Sequence, residues 1–177
     1  MSKRGTKEPS EGAGPTLAVK TTKVTPDALE INLSVRNDSD RALHYISDIR
    51  TLRYDAATGN LIVGLSDEGR ERLPTSVFRL PNFKYVDPHS EVEITLRVPS
   101  KVVRLTNRAT PEGAPTFQEH RASDAPEVRV EMAWADVPYY EDRRKRDENR
   151  IPTASWAQGH AVATAKIRGS RGRGRAT

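Results

Sequence analysis

The 177-residue chain is 35% hydrophobic and 30% charged, enough for one domain with unstructured ends rather than two full cores. It contains no cysteine, which excludes disulfides, thiolate metal sites and a cysteine nucleophile, and no apolar run approaches the roughly 18 residues of a membrane span. The net charge of +5 is uneven: residues 17–139 carry 16 basic and 18 acidic side chains, residues 140–177 carry 10 and 4, and nothing after Glu148 is acidic. This balance argues against a basic-surfaced nucleic-acid-binding body and leaves room for a basic arm.

Residues 1–16 are rich in Gly, Pro, Ser, Lys and Glu without periodicity, and too little apolar surface is present there to offset the entropy of ordering. A disordered N-terminal tail is expected. The stretch also lacks the apolar segment of a secretory signal, so a cytoplasmic location is expected. Leu17, Val19 and Thr21 alternate with Ala18, Lys20 and Thr22 and predict a first strand, closed by the turn Thr25-Pro26-Asp27. Leu29, Ile31, Leu33 and Val35 alternate with Glu30, Asn32, Ser34 and Arg36. Period two places the four apolar side chains on one face of a half-buried strand. Asn37-Asp38-Ser39-Asp40 supplies the turn, because Asx side chains bond the nearby backbone.

Residues 42–56 are strand-like, but the phase breaks: Leu43 and Tyr45 fall on one face, Ile46, Leu52 and Tyr54 on the other. One strand with a bulge near Ser47-Asp48 reconciles them. Ala57-Thr58-Gly59-Asn60 predicts a hairpin connection to a strand holding Leu61, Val63 and Leu65. Residues 75–86 predict an irregular edge strand interrupted by Pro81, which together with Arg79 and Lys84 guards it against pairing between chains. After the turn Asp87-Pro88-His89-Ser90, Val92, Ile94, Leu96 and Val98 alternate with Glu91, Glu93, Thr95 and Arg97 up to Pro99. Residues 106–126 hold three prolines and one large apolar residue, Phe117, and predict a long irregular insertion of the kind that is functional or disordered. Val128, Val130, Met132 and Trp134 resume the alternation, and Trp134 is expected to be the central core side chain. A second irregular insertion is predicted over 138–158. A final strand carries Ala161, Ala163, Ala165 and Ile167 on one face, and an Arg/Gly tail over 168–177 is expected to be disordered.

The fold class predicted is all-β: a single antiparallel immunoglobulin-like sandwich of seven to eight strands over residues 17–167. The string LEINLSVRNDSDRALHYI (29–46), followed by a Pro-His-Ser turn into VEITLRV, resembles immunoglobulin-like and fibronectin-like sandwiches. More narrowly, it is similar to bacterial intracellular modules in which an LxVxNxSxxxL strand–turn–strand precedes a long central strand, the intracellular proteinase inhibitor type among them. The resemblance covers residues 17–136 and carries no functional residue across. It implies a loop-inserting inhibitor as one reading of function.

No catalytic motif is present: there is no Gly-x-Ser-x-Gly elbow, no phosphate-cradling glycine loop and no His-Glu-x-x-His. No enzyme activity, cofactor or metal site is expected. His44, His89, His120 and His160 are isolated in sequence. Asp38 and Asp40, with Asp136 at the end of a strand, lack the 12-residue calcium loop and are read as turn formers. The function expected is a protein-interaction or assembly module. Its candidate binding residues are Phe117, Tyr139, Tyr140 and Trp156, with Trp156 read alternatively as a staple holding the tail to the sandwich. The alternative is contact with nucleic acid or another anionic surface through Arg143, Arg144, Lys145, Arg146, Arg171, Arg173 and Arg175.

Overall fold

The structure, a computed structural model, describes residues 14–66, 81–107, 113–114, 116–139 and 156–167. The two expected disordered tails lie almost wholly outside these residues. So do Val77, Phe78 and Leu80 of the predicted edge strand and residues 140–155 of the second insertion.

Eleven strands form among the described residues, against the seven or eight that the alternation predicts: β1 (Thr16–Val24), β2 (Ala28–Asn37), β3 (Leu43–Ile46), β4 (Thr51–Tyr54), β5 (Leu61–Leu65), β6 (Phe83–Val86), β7 (Ser90–Pro99), β8 (Lys101–Asn107), β9 (Thr116–Arg121), β10 (Glu127–Ala135) and β11 (Gly159–Lys166). The all-β class holds. β1, β2 and β7 form an antiparallel three-stranded sheet, and β8 pairs with β9 as a separate ribbon. The larger sheet is organised around β10. One edge of β10 pairs antiparallel with β11 from Glu127 to Trp134. The other edge is shared: β5 lies parallel to it along Val128–Met132, and β3 lies antiparallel at Trp134 and Ala135. The β5–β10 pair corrects the wholly antiparallel expectation.

The cause lies in residues 47–50. β3 and β4 point the same way, but β3 borders β10 while β4 is separated from β10 by β5. The chain therefore steps sideways by one strand position where the phase break predicts a bulge, and β5 returns into the space between. Side chains and backbone fasten the step. Ser47 N–H and Oγ both donate to the Asn82 carbonyl, at 2.9 and 3.0 Å, and Asn82 N–H donates to Asp48 Oδ1 at 2.8 Å. Asp48 Oδ2 accepts from Arg50 Nη1 at 3.1 Å, and Arg50 N–H donates to the Gly64 carbonyl. The Arg50 side chain is 4% exposed, so the cost of taking its guanidinium charge out of water is offset by such partners.

The two sheets share one core. Leu29, Ile31, Leu33 and Val35 of β2 meet Tyr45, Leu61, Val63, Leu65, Val128, Val130 and Met132 of the larger sheet, all buried. Each such side chain gains about 1.5–3 kcal/mol on burial. β5 is buried on both faces, as a parallel strand requires. A β-carbon at Gly64 would fall on the Thr51 hydroxyl across the ladder. The inward face of β11 is made of Ala161, Ala163 and Ala165, small enough to let β1 approach, and Thr22 Oγ1 donates to the Lys166 carbonyl at 3.2 Å.

Trp134 departs from expectation. It is half-buried, its indole lying over Gly159 and Gly14, where an added β-carbon would strike the ring. Among the described residues the largest fully buried side chain is Tyr45.

The turn after β2 is built on Asn37, which is 0% exposed. Its Nδ2 reaches the carbonyls of Arg41 (2.6 Å), Val86 (3.2 Å) and Asp87 (3.1 Å). Its Oδ1 accepts from Ser39 N–H (3.0 Å) and Ser39 Oγ (2.7 Å). One amide thus ties the β2–β3 turn to the β6–β7 turn. In the latter, His89 adopts φ 52 and meets Asp40 at 2.8 Å.

Candidate interaction surface

The ribbon arises from the way β7 ends. Pro99 closes the ladder with Ala28, Ser100 N–H donates to the Asp27 carbonyl at 3.0 Å, and the chain runs on extended as β8. β9 returns antiparallel, Ala122 N–H closes onto the Ser100 carbonyl at 2.9 Å, and a 3-10 turn, Ala122–Asp124, delivers the chain to β10. Residues 106–126 therefore include the end of β8, the strand β9 and an anchored return through Ala122–Asp124, in place of the continuous irregular insertion predicted. A register shift between Leu105 and Asn107 marks a bulge near the tip.

Alternation along the ribbon separates its two faces. Val102 is buried and stands opposite His120, whose ring stacks on Tyr54 of β4 at 4.4 Å between centroids. This face joins the ribbon to the body. On the opposite face Val103 is 59% and Phe117 63% exposed. They are diagonal neighbours, since Val103 pairs with Glu119 and Leu105 with Phe117. Lys101 and Glu119 on the same face form an ion pair at 3.2 Å, and Arg121 stands opposite Lys101. Exposed ion pairs of this kind contribute little to stability. At the ribbon's base Thr25, Leu29, Lys101, Arg121 and Ser123 border a cleft of about 280 Å³.

The junction with the body contains one polar mismatch. The Tyr54 hydroxyl is buried without a hydrogen-bond partner, and burial, followed by the nearby Asp124 carboxylate, pushes its pKa up to about 12. An unsatisfied buried hydroxyl costs about 1–3 kcal/mol. Tyr54→Phe keeps the ring on His120 and removes the mismatch. Chemical denaturation is expected to show unchanged or higher stability, by up to about 1 kcal/mol; a loss above that size would mean that the hydroxyl is satisfied in solution.

The other predicted binding residues lie elsewhere. Tyr139 and Trp156 are buried together with half-buried Phe83. Phe83 stacks on Tyr139 at 4.3 Å and meets Trp156 edge-on at 5.0 Å, and Trp156 Nε1–H donates to the Val137 carbonyl at 3.1 Å. Both side chains are thus packed against the body of the sandwich in this arrangement. Tyr140, Arg143, Arg144, Lys145, Arg146, Arg171, Arg173 and Arg175 lie outside the described residues. Sequence reasoning missed Val103. Its signal was the Val102–Val103 doublet, in which one valine must turn outward if the segment is a strand.

The polar clusters are mutually engaged. Asp38 pairs with Arg36 at 2.7 Å, Asp40 with His89, and Asp136 with Arg41 at 3.3 Å. Glu131 lies between Arg53 and Arg129 at 3.2 and 2.8 Å. His160 Nε2 lies 3.3 Å from Ser66 Oγ. Among the described residues no group of three or more His, Asp or Glu converges on a common point, and no helix is long and apolar enough to cross a membrane. Comparison with protein-family models, with curated proteins and with solved structures gives no match.

Proposed function

We propose that the chain is a non-catalytic protein-interaction module, an immunoglobulin-like sandwich that presents the β8–β9 ribbon to a protein partner. The observation that carries this reading is the pair Val103 and Phe117, exposed on a ribbon anchored at both ends to a rigid body. Large aromatic side chains flanked by charge are common anchors at interfaces, and two diagonal apolar residues on a paired ribbon lose little entropy on binding. The rest of the outward face, Lys101, Glu119 and Arg121, suits a polar rim.

The test is affinity capture from the native cell extract with wild-type protein and with Phe117→Asp and Val103→Asp. Both positions are solvent-facing, so melting temperatures should stay within about 2 °C of wild type. A stoichiometric protein partner should be retained by wild type and weakened about tenfold or more by Phe117→Asp. A partner held equally by both variants would overturn the placement. The alternative, anionic-surface contact through the basic C-terminal segment, rests on the excess of 10 basic over 4 acidic side chains in residues 140–177. On that alternative, capture disappears on nuclease treatment and on deletion of residues 169–177, and is indifferent to Phe117.

A further inference from the structure

The strand edges of the molecule are not equally protected. β1 carries a register break between Val19 and Thr21 and is bonded to β11 through Thr22. β4 and β6 are four residues each. β7 is different: it spans ten residues, pairs with β2 through ten unbroken partners, contains no proline before Pro99, and ends the order β1-β2-β7. A long, regular, unpaired edge is a template for another strand unless bulges, prolines or like charges guard it.

The side chains at this edge also point to an added strand. On the inward face Leu96 and Val98 are buried, whereas Val92 and Ile94 are only half-buried, so the core is open towards the first half of β7. On the outward face stand Glu91, Glu93, Thr95 and Arg97. Glu91 is already engaged: Ser34 and then Lys20, at 3.2 Å, hold its carboxyl below the usual glutamate range. Glu93 and Arg97 have no ion-pair partner among the described residues.

We propose that β7 pairs antiparallel with the β7 of a second copy of this chain, about a two-fold axis through Thr95. Antiparallel pairing about residue 95 sets residue 93 opposite 97 and residue 94 opposite 96. Each free glutamate then meets a free arginine, Glu93 against the second copy's Arg97, and the pair occurs twice by symmetry. Ile94 meets Leu96 and Val92 meets Val98, which covers the half-buried positions. Thr95 faces its own copy, and Glu91 keeps Lys20. Two three-stranded sheets become one of six strands. An axis through Glu93 is disfavoured, because it would set the two Glu93 carboxylates against each other. The contact is smaller than a standard interface, so a weak, concentration-dependent dimer is expected.

Sedimentation equilibrium or light scattering on the full chain, up to about 100 μM, tests this. Wild type should dimerise. Arg97→Glu should weaken the dimer about tenfold or more, because every cross-chain pair becomes Glu–Glu, and Glu93→Arg should do the same through Arg–Arg. The double exchange Glu93→Arg with Arg97→Glu should restore dimerisation. An equimolar mixture of the two single variants should form a heterodimer tighter than either homodimer. Circular dichroism of each variant should match wild type. A monomeric wild type, single variants that dimerise like wild type, or a mixture that stays monomeric would each overturn the proposal.

Discussion

Asn37→Asp is expected to destabilise the fold by about 3–5 kcal/mol at neutral pH. The amide nitrogen shares its two hydrogens among three carbonyls, those of Arg41, Val86 and Asp87. A carboxylate places a negative oxygen against all three and donates nothing. The side chain is fully buried, so no solvent offsets the repulsion. The loss should depend on pH. Burial among acceptors raises the pKa of the introduced carboxyl above its unfolded value of about 3.9. Between the two values the folded state binds more protons than the unfolded state, so stability falls as pH rises. Urea unfolding at pH 5 and pH 8 should therefore show the larger deficit at pH 8. Ser39→Ala, which removes one hydroxyl from the same turn, should cost only about 1 kcal/mol. An Asn37→Asp variant as stable as wild type would mean that the amide does not tie the two turns together.

Trp156→Ala should cost a comparable amount, about 3–5 kcal/mol. The indole is 4% exposed, packs edge-on to Phe83 of β6 and donates to the Val137 carbonyl. Truncation leaves a cavity between the start of β11 and β6, and it removes an aromatic contact worth about 0.5–1.5 kcal/mol beyond its area. Trp156→Phe keeps most of the packing and gives up the N–H bond, so a loss of about 1–2 kcal/mol is expected. That variant leaves Trp134 as the sole tryptophan, and its fluorescence follows unfolding directly. A Trp156→Ala variant within 1 kcal/mol of wild type would mean that the cluster around residue 156 can collapse without penalty.

β2, β7 and β10 were readable in the sequence because each is long and carries four alternating apolar side chains, which leave no competing period. The sidestep between β3 and β4 was readable as an irregularity but not in kind. Period two reports which face a residue occupies and is silent about which strand lies beside it. A bulge and a one-position shift break the phase alike; what separates them is the fastening of Asp48 to Asn82, 34 residues away. The β8–β9 ribbon left a weak trace because one of its faces stays in solvent, and on the face that meets the body β9 contributes His120, stacked on Tyr54, rather than a run of apolar side chains. Asn37 read as a turn former, and its depth of burial could not be read, since two of the three carbonyls that hold it, those of Val86 and Asp87, come from a turn some fifty residues later. Trp134 misled because size and alternation pointed inward, whereas Gly14 and Gly159 supply a shelf at the rim. The exposed pair on the ribbon was half legible: Phe117 stood out for its polar surroundings, while Val103 required knowledge of which valine of the doublet turns inward.

The shared edge of β10 has a consequence for biosynthesis. β3 and β5 leave the ribosome well before their common partner, residues 127–135, is made. At about 5–20 residues per second the delay is several seconds. During that time the hairpins β1–β2 and β4–β5 can form from neighbouring sequence, but the larger sheet has no middle. Nascent chains that stop before residue 127 thus expose two unpaired strand edges at once, those of β3 and β5 that face β10, and folding of the complete chain waits on a contact between distant parts of the sequence, which makes it slow for its size.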